Sequence, residues 1–313
     1  MYAPLTAGLA HTYSIVAFDP EAQQLGVAVQ SHYFNTGSAV PWLEAGVGAV
    51  ATQSFVEVSY GPLGLAMMKA GKTAQQALAG LVAADPLAAQ RQVAMLDIHG
   101  NVAVHTGARC ISAAGHHIGA NFAVQANLML RDTVWGAMAQ AYERAGGDLA
   151  ERMLVALEAA EEEGGDIRGR QSAALRVVAA QPSGQPWRER VFDLRVDDHL
   201  TPLVELRRLL KVCRAYYTWN DAEALLKAEL LDETIVREAI NHFAKAPDLM
   251  PNNPEGVFWF ACALVNAGYA EAALPYFRKV FVAQPVWREL VPRLAQVDLI
   301  TDDEQILRRI IEL

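Results

Sequence analysis

Thr12-Tyr13-Ser14-Ile15-Val16-Ala17-Phe18, followed by Asp19-Pro20-Glu21 and then Leu25-Gly26-Val27-Ala28-Val29-Gln30, is the stretch on which the fold turns. The two flanking runs are apolar, rich in β-branched residues and short enough to be strands, and the Asp-Pro between them is a turn signal. They read as a hairpin that opens a domain. Val47 to Thr52 is a third strand after the turn-like Glu44-Ala45-Gly46. Two helices follow: one from Pro62 to Ala70 that stops at Gly71, and one that starts after Thr73, with Gln76 completing a capping box.

Further along, Gln92 to Leu96 and Asn101 to His105 form a second hairpin across Asp97-Ile98-His99-Gly100. Phe122 to Asn127 is another strand. Helices are expected over Thr133 to Arg144 and Leu149 to Glu162, the latter with Asp148 and Glu151 as its capping box and Gly164-Gly165 as its stop. Strands return at Ser172 to Ala179 and Arg190 to Val196. Strands, helix pair, strands, helix pair, strands is the order of a sheet-on-sheet core with helices outside, rather than of strict βαβ alternation. Neither GxGxxG nor P-loop spacing occurs, so a nucleotide-binding fold has no local support.

Glycine usage divides the chain. Of 22 glycines, 20 lie before residue 199, and beyond that point the sequence reads as nearly continuous helix. The seam is expected near Val196-Asp197-Asp198-His199, which separates a leader (1–11), an α+β domain (12–198) and an all-α helical-hairpin repeat domain (199–313). Within the last, a shift of 34 residues places Leu230 on Leu264, Ala239 on Ala273, Ile240 on Leu274, Phe243 on Phe277, Lys245 on Lys279 and Pro251 on Pro285. That period in helical sequence resembles tetratricopeptide repeats, in which alanines let paired helices approach and aromatics fill the gap to the next pair. Two repeats leave an apolar helical face uncovered, so a homodimer, or a protein partner held through residues 199–313, is expected.

Composition narrows the class. A 313-residue chain that is 52% hydrophobic and 19% charged has ample surface to bury, and it is not a disordered chain. The longest apolar run, Val257 to Val265, falls well short of the ~18 residues that a membrane span needs. Met1 to His11 contains no basic residue ahead of an apolar core, so it does not read as a signal peptide, and a cytoplasmic location is expected. A net charge of −9 without a basic stripe argues against nucleic acid as a partner. Cys110, Cys213 and Cys262 are too few and too scattered for a disulfide framework or a zinc site. No metal and no cofactor is expected.

A hydroxyl at the start of a strand, as at Thr12, is where an N-terminal-nucleophile hydrolase carries its catalytic group. The freed α-amine then serves as base, and the hydroxyl attacks an amide carbonyl. The segments Thr12 to Ala17, Leu25 to Ser31, Val40-Pro41-Trp42, Ala45 to Gln53, Tyr60-Gly61-Pro62, His105-Thr106-Gly107 and Gly165 to Ala174 resemble the family called domain of unknown function 1028. That family is similar in fold to the N-terminal-nucleophile hydrolases. The resemblance spans Thr12 to about Val196 and implies a four-layer αββα sandwich, without a settled substrate. Relatives often begin almost directly at the threonine. Here eleven residues precede Thr12, so its nitrogen lies in a peptide bond unless the chain is cut between His11 and Thr12.

The candidate catalytic residues are Thr12, Ser31, His32 and Asp166. Ser31 and His32 close the second strand, and Asp166 lies among glycines between a helix stop and a strand start. The candidate substrate-binding residues are Gln30, Gln53, Arg109, Asn127 and Arg168, and Gln125 alternates with Asn127 along one strand. Turn capping, a loop-pinning Asp166–Arg168 ion pair and satisfied strand-edge amides are the structural alternatives for these positions. Cys110 near His105, His116 and His117 lacks diagnostic spacing and reads as a small buried hydrophobe. Glu158 to Glu163 reads as a solvated helix end. Two functional readings follow. One is an amide-bond hydrolase that uses Thr12 on a small polar substrate. The other is a binding or scaffold protein that keeps a degenerate hydrolase fold and engages a partner through its helical array.

Overall fold

The computed structural model describes residues 9–10, 12–227, 231–245 and 253–313. The chain forms two compact units, Met1–Arg208 and Leu209–Leu313.

The first unit is mixed α+β, with every strand pairing antiparallel. Its strands are β1 (Leu9–Ala10), β2 (Thr12–Asp19), β3 (Gln24–Ser31), β4 (Pro41–Glu44), β5 (Gly48–Phe55), β6 (Arg91–Asp97), β7 (Val102–Thr106), β8 (Gly115–Gly119), β9 (Phe122–Ala126), β10 (Ser172–Ala179) and β11 (Arg190–Val196). One sheet runs β1-β5-β6-β7 with β4 also on β5, and the other runs β11-β10-β3-β2-β9-β8. The expected opening hairpin is therefore present, and it forms the centre of the larger sheet. Thr12 pairs with Ser31 and Asp19 with Gln24. Val16, Val27, Val29, Ala123 and Ala174 of the larger sheet share one apolar cluster with Ala49, Ala51, Ala94 and Leu96 of the smaller. The two sheets thus face each other.

Helices α1 (Tyr60–Lys69) and α2 (Ala74–Ala84) pack on the smaller sheet, and α3 (Val134–Arg144) and α4 (Leu149–Glu162) on the larger. With both faces covered, β2 and β3 are buried almost throughout, which explains why they read as apolar runs without alternation. Gly26 lets α4 approach closely, since a Cβ there would collide with the side chain of Met153. The expected Thr73–Gln76 box forms, and of the box expected at α4 the Asp148 cap forms. Thr73 accepts the Gln76 N–H at 3.2 Å while the Gln76 side chain accepts the Thr73 N–H at 3.1 Å, and Asp148 accepts the Glu151 N–H at 2.8 Å.

Three strands, β1, β4 and β8, depart from the sequence expectation, and β1 is only two residues long within the expected leader. β4 begins at a proline, and β8 reads Gly-His-His-Ile-Gly, so neither of these two carries a run of strand-forming residues. The seam also moves, from near residue 198 to between Arg208 and Leu209. Its physical cause is the start of α5 (Pro202–Leu226): Leu203 and Leu206 are buried, and Arg207 pairs with Glu151 at 2.7 Å and with Glu158 at 2.6 Å, both on α4. Glu158 is thus an ion-pair partner rather than only part of a solvated helix end.

The second unit is helical, with α6 (Glu233–Phe243), α7 (Glu255–Asn266), α8 (Ala270–Ala283), α9 (Leu290–Ala295) and α10 (Glu304–Ile311) after the remainder of α5. Of the residues related by the 34-residue shift, Ala239 and Ala273, and Phe243 and Phe277, are all buried at equivalent points of α6 and α8. Phe243 stacks on Phe260 with ring centroids 4.0 Å apart, and Phe258 meets Phe277 edge-on. Leu230 and Pro251 lie outside the described residues. Among the described residues no helix is long and apolar enough to cross a membrane.

Candidate functional site

Side chains alternate along β2. Ser14 donates to Gln53 of the facing sheet at 2.6 Å, whereas Tyr13 donates to Glu161 of α4 at 2.7 Å. Even-numbered residues of β2, Thr12 included, therefore look into the space between the sheets. Register carries that face outward across four neighbouring chain segments. Asn127 (immediately after β9), Thr12, Ser31 and Ser172 form one polar row at the end of the larger sheet. Opposite stands a second row from the smaller sheet, where Gln53 pairs with Gln92 and Gln92 with Thr106.

The two rows are joined by hydrogen bonds. The Thr12 hydroxyl donates to Ser31 Oγ at 3.1 Å. Its carbonyl accepts the Gln53 side-chain amide at 3.0 Å, the Asn127 backbone N–H at 3.1 Å and the Asn127 side-chain amide at 3.4 Å. Gln53 Nε2 and Asn127 Nδ2 also donate to Gln92 Oε1, at 2.8 and 2.9 Å. Gln125 Nε2 donates to Ser14 Oγ at 3.2 Å and to the Ala51 carbonyl at 3.0 Å. Thr12, Ser14, Ser31, Gln53, Gln92, Gln125, Asn127 and Ser172 are all fully buried. Buried amides demand partners, and here most find them in one another, so each fixes the next. Gln53 and Asn127 are each followed by a residue in the left-handed region, Ser54 at φ 74° and Leu128 at φ 57°. Non-glycine residues held there cost roughly 1–3 kcal/mol and gather at functional sites.

The network reaches the surface through Gln92, which donates to Thr106 Oγ1 at 3.0 Å, and through Thr106, whose oxygen lies 2.8 Å from His116 Nδ1. Burial, followed by the neighbouring His105 and His117, lowers the pKa of His116. A neutral His116 accepts the Thr106 proton, which leaves the Thr106 oxygen free to accept from Gln92. Directly before the site, β1 pairs with β5, with Leu9 opposite Phe55 and Ala10 opposite Ser54. One residue separates this strand of the smaller sheet from Thr12 of the larger.

Of the residues expected from sequence, Thr12, Ser31, Gln53 and Asn127 come together here. His32, Asp166 and Arg168 form a separate cluster just past the end of β3. There Asp166 accepts the backbone N–H of His32 at 3.3 Å, the backbone N–H of Arg168 at 2.9 Å, and the Arg168 guanidinium at 3.0 and 2.6 Å. The Asp166 side chain is fully buried and His32 is exposed, so this is the loop-pinning ion pair. Gln30 pairs with Tyr13 and shares its face, so its side chain looks toward the helices, behind the sheet and away from Thr12. Arg109 is an exposed loop residue whose backbone N–H bonds the Ala89 carbonyl at 2.7 Å. Cys110 donates to the Arg91 carbonyl at 3.3 Å, and burial pushes its thiol up, which disfavours the thiolate. Among the described residues no group of histidine, cysteine and carboxylate side chains is arranged to hold a metal ion.

Ser14, Gln92, Thr106 and Ser172 are the site residues that sequence reasoning missed. Ser14 carries a legible signal, lying two positions after Thr12 and therefore on the same face. Gln92 and Ser172 lie at the starts of β6 and β10, ahead of apolar runs, and their convergence with Thr12 depends on cross-sheet register.

A mixed α+β unit with facing antiparallel sheets and a buried polar network at one end is the class that the geometry defines. Residues 12–206 match DUF1028, described as a family of unknown function. The chain belongs to this family. Among solved structures it is similar to the crystal structure of protein SPO2555 from Silicibacter pomeroyi, itself matched to DUF1028, at 28% identity and a TM-score of 0.58. The similarity covers 64% of this chain and 88% of that one. No curated protein matches the sequence.

Proposed function

We propose that this protein is an amide-bond hydrolase of the N-terminal-nucleophile type, built on a four-layer αββα sandwich and acting on a small polar substrate through Thr12. The observation that carries the reading is the setting of Thr12. Its hydroxyl lies against Ser31 Oγ at 3.1 Å, and its carbonyl is held by Gln53 and Asn127, in a buried network that fixes the residue.

Activity requires that the bond between His11 and Thr12 be cut. In the chemistry proposed, Thr12 Oγ attacks the His11 carbonyl and the Thr12 nitrogen leaves and takes up a proton. The resulting ester is then hydrolysed by water, which releases residues 1–11 and exposes the amine. An α-amine has a pKa of roughly 7.7–8.0, so a useful fraction is unprotonated at neutral pH. It takes the hydroxyl proton as Oγ attacks the substrate carbonyl. The tetrahedral intermediate expels the leaving amine with that proton, and water hydrolyses the Thr12 ester. Ser31 and the Gln53–Gln92–Asn127 amides position Thr12.

The test combines intact-mass measurement of protein purified from its native host with amide turnover. A chain beginning at Thr12, and turnover lost in Thr12→Ala, are expected. An uncut chain whose turnover is indifferent to Thr12→Ala would sink the mechanism. That outcome favours a second reading, in which the α+β unit is a non-catalytic platform and the helical unit, of tetratricopeptide-like type, holds a protein partner. The pairing of Leu9–Ala10 on β5 favours this alternative, because it builds the uncut chain into the sheet. A stoichiometric partner that co-purifies with the full chain tests it.

A further inference from the structure

Away from Thr12, a cleft of about 580 Å³ opens between β4, β10 and the loop joining β10 to β11. None of the residues around Thr12 lines it. Arg176, on its wall, pairs with Val27 of β3, four residues from Ser31, which is ~13 Å along the strand. A volume of this size is typical of small-molecule sites.

Three cationic and two carboxylate side chains line the cleft. The carboxylates are committed. Glu44 holds Lys69 at 2.5 Å, and the buried Glu189 accepts the Ser183 backbone N–H at 2.7 Å and hydroxyl at 3.0 Å. The guanidiniums are undersupplied. Asp193 is shared between Arg176 at 3.5 Å and Arg195 at 3.1 Å, while Arg190 pairs with no carboxylate among the described residues. Burial, and the nearby Arg195 and Arg190, lower the pKa of Arg176 despite Asp193. The same wall carries Trp187, which is 65% exposed and flanked by Pro182 and Pro186 among the lining residues. Arg176 also donates to the Pro41 carbonyl at 3.1 Å, so the guanidinium left without a carboxylate is that of Arg190. A large aromatic side chain left in water on the same wall as such a guanidinium is the arrangement that recognises a flat group bearing an anion.

We propose that this cleft binds a small organic anion, with its carboxylate or phosphate on Arg190 and Arg176 and its flat apolar part against Trp187. The site is independent of Thr12 and of any turnover there. Calorimetric titration of the full chain with indole-3-acetate and with adenosine monophosphate separates the carboxylate from the phosphate source, and acetate and inorganic phosphate report the anion alone. Saturable binding of one flat probe is expected. Arg190→Gln and Trp187→Ala should each weaken it by about tenfold, and added salt should weaken it too. Both residues are exposed, so the variants should fold, and Arg188→Gln should leave binding unchanged. The proposal is overturned if neither flat probe binds saturably, if either substitution leaves affinity unchanged, or if the flat probes bind no better than acetate or phosphate.

Discussion

The space between the two sheets holds two regions that differ in chemistry along the same strands. Toward the Asp19 end of β2, Val16 meets Val27, Val29, Ala49, Ala51, Ala94 and Leu96, a contact that any well-fitting set of apolar side chains would supply. Toward the Thr12 end, Ser14, Gln53, Gln92, Gln125 and Asn127 occupy equally buried ground, where every amide needs directed partners. Apolar packing would hold the sheets together at both ends. A polar network confined to one end, around a strand-initial threonine, is the ground on which the proposed chemistry rests.

The comparison breaks most visibly if the polar end does no chemistry. Thr12→Ala should abolish cleavage before residue 12 and lower amide turnover by on the order of 10³-fold or more, with the cooperative unfolding transition kept. The apolar end should give the largest purely structural effect. Leu96→Ala empties a fully buried site and should cost about 2–5 kcal/mol in denaturant unfolding, without changing turnover per folded molecule. A smaller loss is expected for Gln92→Leu, about 1–3 kcal/mol, because the substitution removes the side-chain donor to the Gly115 and Ala126 carbonyls and one of the acceptors of the Gln53 and Asn127 amides. Unlike Leu96→Ala, it should also slow processing. If Gln92→Leu proves neutral in both measurements, the network is ornamental.

The smallest effect is one of pH. His116 has a folded-state pKa below its ordinary value, so the folded protein binds fewer protons there than the unfolded chain. Its contribution to stability is therefore full above about pH 6.5 and declines as pH falls through that value toward the lowered one. Melting temperature should fall on acidification below that point, and His116→Gln should make the fall shallower. Superimposable curves for the two proteins would show that His116 plays no part in it.

The strand and helix order was readable because it rests on local signals. Asp19-Pro20, the Thr73–Gln76 box and the Asp148 cap each act within a few residues, and each forms as the sequence implies. The candidate site was half readable. Thr12, Ser31, Gln53 and Asn127 converge, but Gln30 sits one position from Ser31 and so on the opposite face of β3. Asp166 and Arg168 satisfy each other, a pairing that glycine spacing alone does not distinguish from catalysis. Gln92 became visible only through the register of β5 on β6, a long-range property that no local window contains.

Thr12 sits on a strand paired on both sides, against β3 from Thr12 to Asp19 and against β9 from Tyr13 to Ala17. That double pairing makes β2 a measuring rod. The turn at Asp19 fixes one end, and the count back to the threonine decides which face it presents. Deleting or inserting one residue between them would rotate Tyr13 or Ile15 into the space between the sheets and send the hydroxyl toward α4. A change of two residues would restore the face at a shifted height. Tolerance to length change in this protein should therefore alternate between odd and even within β2, a parity rule that substitutions cannot reveal.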